Sequence, residues 1–325
     1  MLNVLLRREY LRFVWARPSL RLAMLALLFT ASACTTAPEE KDVADDSSSA
    51  ELKVAIVVSQ RAPVFDDVAE QLQRVLGKRA VRYYLTGKSA ADSELARTLM
   101  ASDRQQVVAI GLPAALWSKQ LQNRQIVFCQ VFNYRQYKLV SDSRKGVSSV
   151  PPADQLFGKW KALSPSLRRV VTITGPYHKH LVAAAKAAAA KQGIGLDHIV
   201  VRSDKEFRYT FKNRVVNYQG VWLLPDNRIL SRSAMHEVMS YSVRNGKQVA
   251  VFNPQLLAIG GLISAEPKPE DVANQVIRRL RQANAKTGIP GPDVTALGQT
   301  RFQINTVLAR QLGLKSVNTN AGNGV

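Results

Sequence analysis

Short apolar runs alternate with segments of helical periodicity along most of this chain. Residues 53–58 contain five valine, alanine and isoleucine residues in a row, which is typical of a strand buried on both faces. Residues 63–76 follow, with apolar residues at helical spacing after Pro63. The same pair of patterns repeats through residue 131. Repeated strand–helix units predict a parallel sheet, because a parallel connection needs a crossover long enough to hold a helix.

The alternation stops at residues 132–155, which contain Gly146, Pro151 and Pro152, and restarts at residue 170. Two consecutive runs of strand–helix units predict an α/β protein with two doubly wound parallel-sheet lobes joined by a hinge. We place the lobe boundaries from this break in the pattern. Lobe 1 is expected at 52–132 with a return segment at about 254–290, and lobe 2 at 133–253 with a C-terminal segment at about 291–314.

The first 33 residues have the three parts of a secretory signal. Five arginines precede an uncharged, mostly apolar run at 22–33, which ends in small residues. The tetrapeptide Ala-Ser-Ala-Cys at 31–34 resembles a bacterial lipobox, in which the cysteine receives a diacylglycerol and the signal is cut immediately before it. We therefore predict a lipoprotein signal peptide at 1–33 and lipid attachment at Cys34. An ordinary signal peptide followed by an incidental cysteine is the alternative.

Residues 34–51 form an acidic, serine-rich segment. Six acidic residues and three consecutive serines make it too polar to order itself, so we predict a flexible tether. We also predict a disordered tail at 315–325. The residue after Cys34 is Thr35, whereas aspartate there favours inner-membrane retention in many lipoproteins. By that resemblance we expect a periplasmic protein anchored by lipid to a membrane, with the outer membrane favoured.

The chain carries 45 Lys and Arg against 24 Asp and Glu, a formal net charge of +21. Because the tether is acidic, the net charge of the folded body is at least as positive as that of the whole chain. Such a field can attract anionic lipid, phosphorylated polysaccharide or an acidic protein, although a merely solubilising surface is the alternative. Export argues against nucleic acid as a partner. Hydrophobic residues make up 46% of the chain, which is enough for a packed core and excludes global disorder.

Several short segments resemble, in the same order, motifs of one bacterial family. They are Pro-Ala-Ala-Leu-Trp at 113–117 with Ile-Val-Phe at 126–128, Lys-Gly-Val-Ser at 145–148, Trp-Leu-Leu-Pro-Asp-Asn at 222–227, Gly-Gly-Leu-Ile-Ser at 260–264 and Ile-Asn-Thr at 304–306. Over about 106–314 the chain resembles the substrate-binding proteins of ABC transporters. The relevant branch is the lipoprotein-type, type I periplasmic binding group that includes tryptophan-binding relatives. The resemblance implies two lobes that close on a small solute, amino-acid-like or another small organic molecule.

Ligand contacts are expected beyond the carboxyl ends of the strands, where open parallel sheets bind their ligands. Tyr134 and Tyr177 could stack on a planar or sugar ring. Asp226 could accept from an amine, and Arg61 could pair with a carboxylate. Each position is open to the alternative of a solvated loop residue or a cap, and 225–227 is also typical of a turn. The full set of expected contacts is Gln60, Arg61, Pro113, Asn133, Tyr134, Tyr177, His178, Asp226 and Asn253.

Metal, cofactor and catalytic chemistry have no supporting motif. His178 and His180 lie near a helix start without an acid cluster, and two ligands do not make a zinc site. Cys129 lies within an apolar run, where a cysteine usually packs as a small hydrophobic residue. Nucleotide-binding glycine loops, a GxSxG elbow and an HExxH pair do not occur in the sequence. We expect no cofactor, no metal and no enzyme activity.

Two functions remain open at this point. The resemblance favours a lipid-anchored solute-binding protein whose partners are a small-molecule solute and an ABC permease. The alternative is a lipoprotein that keeps the fold without the solute site. It would act as an envelope scaffold or regulator through its basic surface.

Overall fold

The computed structural model describes residues 52–226 and 228–314. The predicted signal peptide, Cys34, the predicted tether up to residue 51, Asn227 and the predicted tail from residue 315 lie outside these ranges. The described chain forms two α/β lobes, each built on a six-stranded sheet. This architecture confirms the predicted fold class.

The described strands are short and alternate with helices. They are β1 (Val54–Val58), β2 (Ala80–Tyr84), β3 (Gln106–Ile110), β4 (Gln125–Cys129), β5 (Arg144–Val147), β6 (Arg169–Thr174), β7 (Gly195–Val200), β8 (Gly220–Trp222), β9 (Gln248–Val251), β10 (Ile263–Pro267), β11 (Val294–Thr295) and β12 (Thr300–Ile304). The helices are α1 (Pro63–Leu76), α2 (Ser89–Ala101), α3 (Leu112–Trp117), α4 (Ala153–Leu163), α5 (Lys179–Lys191), α6 (Asp204–Arg214), α7 (Arg232–Arg244), α8 (Pro269–Gln282) and α9 (Thr306–Gln311).

Lobe 1 is built on a sheet of order β11-β5-β4-β3-β1-β2, in which every pair of neighbours is parallel. Every residue of β1 is buried, as expected for a strand covered on both faces. Helices α1 and α8 contribute to the apolar core on one face, and α2 and α3 to the core on the other. Helix α1 begins at Pro63, presents Val68, Leu72 and Leu76 to the core, and ends at Gly77 with φ 56°.

Lobe 2 is built on a sheet of order β12-β10-β9-β8-β6-β7. Its strands are parallel except β12, which pairs with β10 in the antiparallel sense. Helices α4, α5 and α9 cover one face and α6 and α7 the other. At the centre of the first face the Trp160 indole is fully buried and donates to Oε1 of Gln248 at 2.7 Å. That bond satisfies the one polar group of a large core side chain.

The chain passes between the lobes between β5 and α4, between β10 and α8, and between β11 and β12. The first passage is later than the predicted boundary at 132/133, because β5 still pairs with β4 in lobe 1. The return is also later than residue 254, since β10 pairs with β9 in lobe 2 before α8 packs against α1. None of the described helices is long and apolar enough to cross a bilayer.

Candidate functional site

A cavity of about 590 Å³ lies between the two lobes. Lobe 1 contributes the loop after β4, at residues 132–135, together with Val294 and Ala296. Lobe 2 contributes the turn after β6, one side of α5 and Trp222 at the end of β8. The segment that joins β5 to α4 forms a further wall. Because both lobes supply walls, a molecule in this cavity would contact both of them.

Four aromatic side chains line the cavity: Phe132 and Tyr134 from lobe 1, and Tyr177 and Trp222 from lobe 2. Phe132 and Tyr177 are 36% and 44% exposed, which is unusual for rings next to a well-packed core. The Arg135 guanidinium lies 5.5 Å from the centre of the Tyr134 ring. Exposed rings facing a cavity can stack on a planar or apolar ligand.

Two buried polar side chains in the lining have an atom without a hydrogen-bond partner among the described residues. These atoms are Oδ1 of Asn133 and Nδ1 of His178. Asn133 and His178 belong to opposite lobes and are only 8% and 6% exposed. Buried polar groups are normally paired, so the amide oxygen of Asn133 favours a polar partner supplied from outside the chain, whereas Nδ1 of His178 faces the Asp226 carboxylate.

Asp226 lies beside the cavity and holds the loop that carries His178. Its carboxylate accepts from the backbone N–H groups of Gly175 and Arg228, each at 3.1 Å. Oδ2 of Asp226 is also 3.5 Å from Nδ1 of His178. Burial lowers the pKa of His178 below its ordinary value, and the Asp226 carboxylate opposes that shift. The net effect of this burial favours the neutral imidazole.

The predicted contact residues divide into two groups. Asn133, Tyr134, Tyr177 and His178 come together in the cavity lining, although they are distant in sequence. The other five lie outside it: Gln60, Arg61, Pro113, Asp226 and Asn253.

Local structure explains the positions of three of the five. The Arg61 guanidinium stacks over the Tyr84 ring at 4.2 Å. Pro113 lies in the first turn of α3, where its missing N–H costs nothing. Asn253 accepts from the backbone N–H of Gln255 at 2.9 Å and caps a short 3₁₀ turn.

Sequence reasoning did not select Phe132, Trp222, Arg135, Asp154 or Lys191, all of which line the cavity. Phe132 and Arg135 immediately neighbour two selected residues, so the position of the strand end could have indicated them. Lys191 lies at the far end of α5, and only the packing of that helix against the lobe junction brings it into the lining.

The described residues contain no cluster of three or more His, Cys, Asp or Glu that could hold a metal ion. Cys129 is fully buried, and burial raises the pKa of its thiol to about 12. The cysteine is therefore an unreactive thiol packed in the core of lobe 1.

The model of the family described as "ABC transporter substrate binding protein" matches residues 80–286, which is more than half of the chain. The chain belongs to this family. Its fold is the type I periplasmic binding fold, as the resemblance in the sequence implied. Comparison with curated proteins gave no match.

Solved structures share this fold at low sequence identity. An ABC domain from Streptococcus pneumoniae in complex with L-Trp is 21% identical, with a TM-score of 0.55 over 81% of this chain and 96% of that chain. A conserved domain protein from Vibrio cholerae is 20% identical, with a TM-score of 0.55 over 82% and 95%. A ligand-free, open substrate binding protein with adhesive properties from Clostridium difficile is 15% identical, with a TM-score of 0.60 over 82% and 96%.

Proposed function

We propose that this protein is a lipid-anchored, periplasmic solute-binding protein that captures a small organic molecule between its lobes and presents it to an ABC permease. The observation that carries the proposal is the interlobe cavity of about 590 Å³, whose size suits a small ligand. Membership of the substrate-binding family supports the class of activity. The lipobox-like segment ending at Cys34 supports the anchor and the compartment.

Capture needs no bond to be made or broken. Asn133 and Tyr134 belong to one lobe, and Tyr177 and His178 belong to the other. A ligand that contacts both pairs gains its full binding free energy only when both lobes reach it. Its differential affinity would therefore favour the closed arrangement over the open one.

The lining narrows the solute to a molecule with an apolar or ring-bearing part. Four aromatic residues and the alanines of α5 form an apolar wall on which a ring or an apolar group can pack, and the polar side chains between them can orient it. The streptococcal ABC domain binds L-Trp, which agrees with an amino-acid-like or other small organic solute here.

A second candidate function is that of an envelope scaffold or regulator. The net charge of +21 favours it, because no solute-binding role requires so strong a field. In that case the cavity would be a remnant and an acidic envelope partner would bind the surface.

Native mass spectrometry of the full chain, extracted gently from membranes, tests the proposal. We expect a discrete extra mass that disappears on denaturation and that is reduced severalfold in Tyr177→Ala. Tyr209→Ala is the matched control, since Tyr209 is a 71% exposed tyrosine on α6, outside the cavity lining.

The opposite result is a bare mass together with no thermal shift in a panel of amino acids, aromatic carboxylates and sugars. That outcome would replace solute capture by the scaffold function.

A further inference from the structure

The cavity is elongated along α5. The α5 side chains that line it run from His180 to Lys191. At 1.5 Å rise per residue, these positions span about 16 Å of the helix axis. A single amino acid is too short to contact both ends, so the shape indicates a longer ligand.

The middle of this span is apolar. Ala184, Ala187 and Ala188 line it with methyl groups only. The residues facing the same space include Val150, Pro151 and Val294, which are also apolar. A ligand body along this part gains free energy by leaving water only if it is apolar itself.

The charges are unequal at the two ends. Lys191 lies at the end of α5, and a Cβ at Gly158 would lie 4.0 Å from Nε2 of the adjacent Gln192. Asp154 precedes Gly158 by one helical turn, so the lining near this end carries one acidic and one basic side chain. Arg135 is at the other end, in the lobe 1 loop, and no acidic residue of the lining lies on that loop.

Arg135 has no ion pair within the described ranges of the chain. Asp226, the nearby carboxylate that could have received an ammonium group, is outside the lining and already accepts two backbone N–H groups. The interlobe end therefore favours an anionic group over a cationic one.

We infer that the solute is an elongated apolar carboxylate. Its carboxylate lies near Arg135, between the exposed aromatic residues of the two lobes, and its apolar body lies along the alanines of α5. This inference rests on the proposed function, since it names the ligand class of the same cavity.

Isothermal titration calorimetry tests it on the full chain carrying Cys34→Ala, which has no acyl group, after unfolding and refolding to remove bound molecules. The probes are dodecanoate below its micellar concentration, butanoate, dodecyltrimethylammonium and L-tryptophan. We expect dodecanoate to bind with one-to-one stoichiometry and at least about tenfold more tightly than butanoate or the cationic amphiphile.

Two pairs of variants locate the site. Ala187→Trp fills the groove and should weaken dodecanoate binding about tenfold or more, while Ala190→Trp, on an exposed position of α5 outside the lining, should not. Arg135→Gln should weaken dodecanoate binding severalfold, whereas Lys138→Gln, three residues on and outside the lining, should leave it unchanged.

The inference is overturned if dodecanoate binds no more tightly than butanoate, or if both Ala187→Trp and Arg135→Gln bind it like the unsubstituted chain. If L-tryptophan is the only probe that binds, solute capture is supported and the elongated carboxylate is rejected as the ligand class. If none of the four probes binds and native mass spectrometry shows only the mass of the protein, both solute capture and the proposed ligand class are rejected.

Discussion

The Asp226 carboxylate lies outside the cavity lining and supports the cavity wall through hydrogen bonds within the protein. Its contacts with the N–H groups of Gly175 and Arg228 fix two loops that meet at His178. The predicted role, acceptance from a ligand amine, is not supported by this position. We propose instead that Asp226 is a positioning residue for the lobe 2 side of the cavity.

Asp226→Ala is expected to destabilise the protein by about 1–3 kcal/mol, because the buried N–H of Gly175 and the part-buried N–H of Arg228 lose their acceptor. Urea denaturation of the variant measures this loss. Asp103→Ala is the control, since Asp103 is an exposed carboxylate whose ion pair with Lys53 lies on the surface. Equal stability of the two variants would contradict the positioning role.

The buried His178 and the half-buried His198 make the stability of lobe 2 depend on pH. Burial lowers the folded-state pKa of both His178 and His198 below the ordinary value of 6.5, and nearby positive side chains add to the shift at His198. A group whose pKa is depressed on folding binds protons more readily in the unfolded chain. Its contribution is therefore intact above pH 6.5 and is lost as the pH falls below it.

We expect the urea concentration at the unfolding midpoint to decrease when the pH is lowered from 7.5 to 5.5. The decrease should be smaller in His178→Gln. His236→Gln is the control, because His236 is exposed on α7. A fall of the same size in His178→Gln and the unsubstituted protein would show that His178 does not contribute.

At the scale of elements, α8 holds the loop that carries the lobe 1 edge of the cavity. The buried Arg279 guanidinium donates to the carbonyl oxygens of Gly146, Pro290 and Pro292 and to Oγ1 of Thr295. These acceptors include β5, β11 and the loop before β11, whose next residues border the cavity. One side chain therefore joins a helix to three pieces of the lobe edge.

Arg279→Leu should lower the free energy of unfolding by about 2–4 kcal/mol, because the buried carbonyl of Gly146 and three part-buried acceptors lose their donor. Arg278→Leu is a matched control, since Arg278 is exposed on the same helix and should cost less than about 0.5 kcal/mol. Chemical denaturation compares the two variants. A similar loss of unfolding free energy in both would contradict the proposed role of the Arg279 hydrogen bonds.

Sequence reasoning missed the elements whose local hydrophobic pattern was weak or lay inside a segment assigned to a loop. Helix α4 begins at residue 153, inside the segment assigned to the crossover, although Leu156, Trp160 and Leu163 have helical spacing and are buried. Helix α6 is rich in charged residues and buries only Phe207 and Phe211. Strand β11 has two residues and is held by its pairing with β5, which no local pattern reports.

At the scale of the whole molecule, the predicted anchor and the cavity can be tested separately. Cys34 lies outside the described residues, and its lipidation stays a prediction from the sequence. We expect Cys34→Ala to move the protein from the membrane to the soluble periplasmic fraction, with unchanged solute affinity.

Fractionation followed by immunoblotting measures the distribution, with Cys129→Ala as the control because Cys129 is buried in lobe 1. Membrane retention of Cys34→Ala would contradict lipid anchoring. The basic body could then account for attachment, and release by high salt would identify that case.

The local sequence was sufficient to predict the two-lobed α/β fold. Apolar runs and helical spacing are short-range patterns, and Pro63 and Gly77 mark helix ends by their own backbone preferences. The strand ends also indicated Asn133, Tyr134, Tyr177 and His178. The same rule selected Gln60 and Arg61 with equal weight, since nothing near them in sequence tells which strand ends meet.

Only the tertiary structure decided which of these ends share a cavity. Sheet order and the three passages between lobes bring residues 132–135, 177–191 and 294–296 together from distant parts of the chain. The same packing excludes Gln60, Arg61 and Asn253 and adds Trp222 and Lys191. The physical reason is that a cavity depends on how packed elements face one another, and that arrangement is set by contacts far apart in sequence.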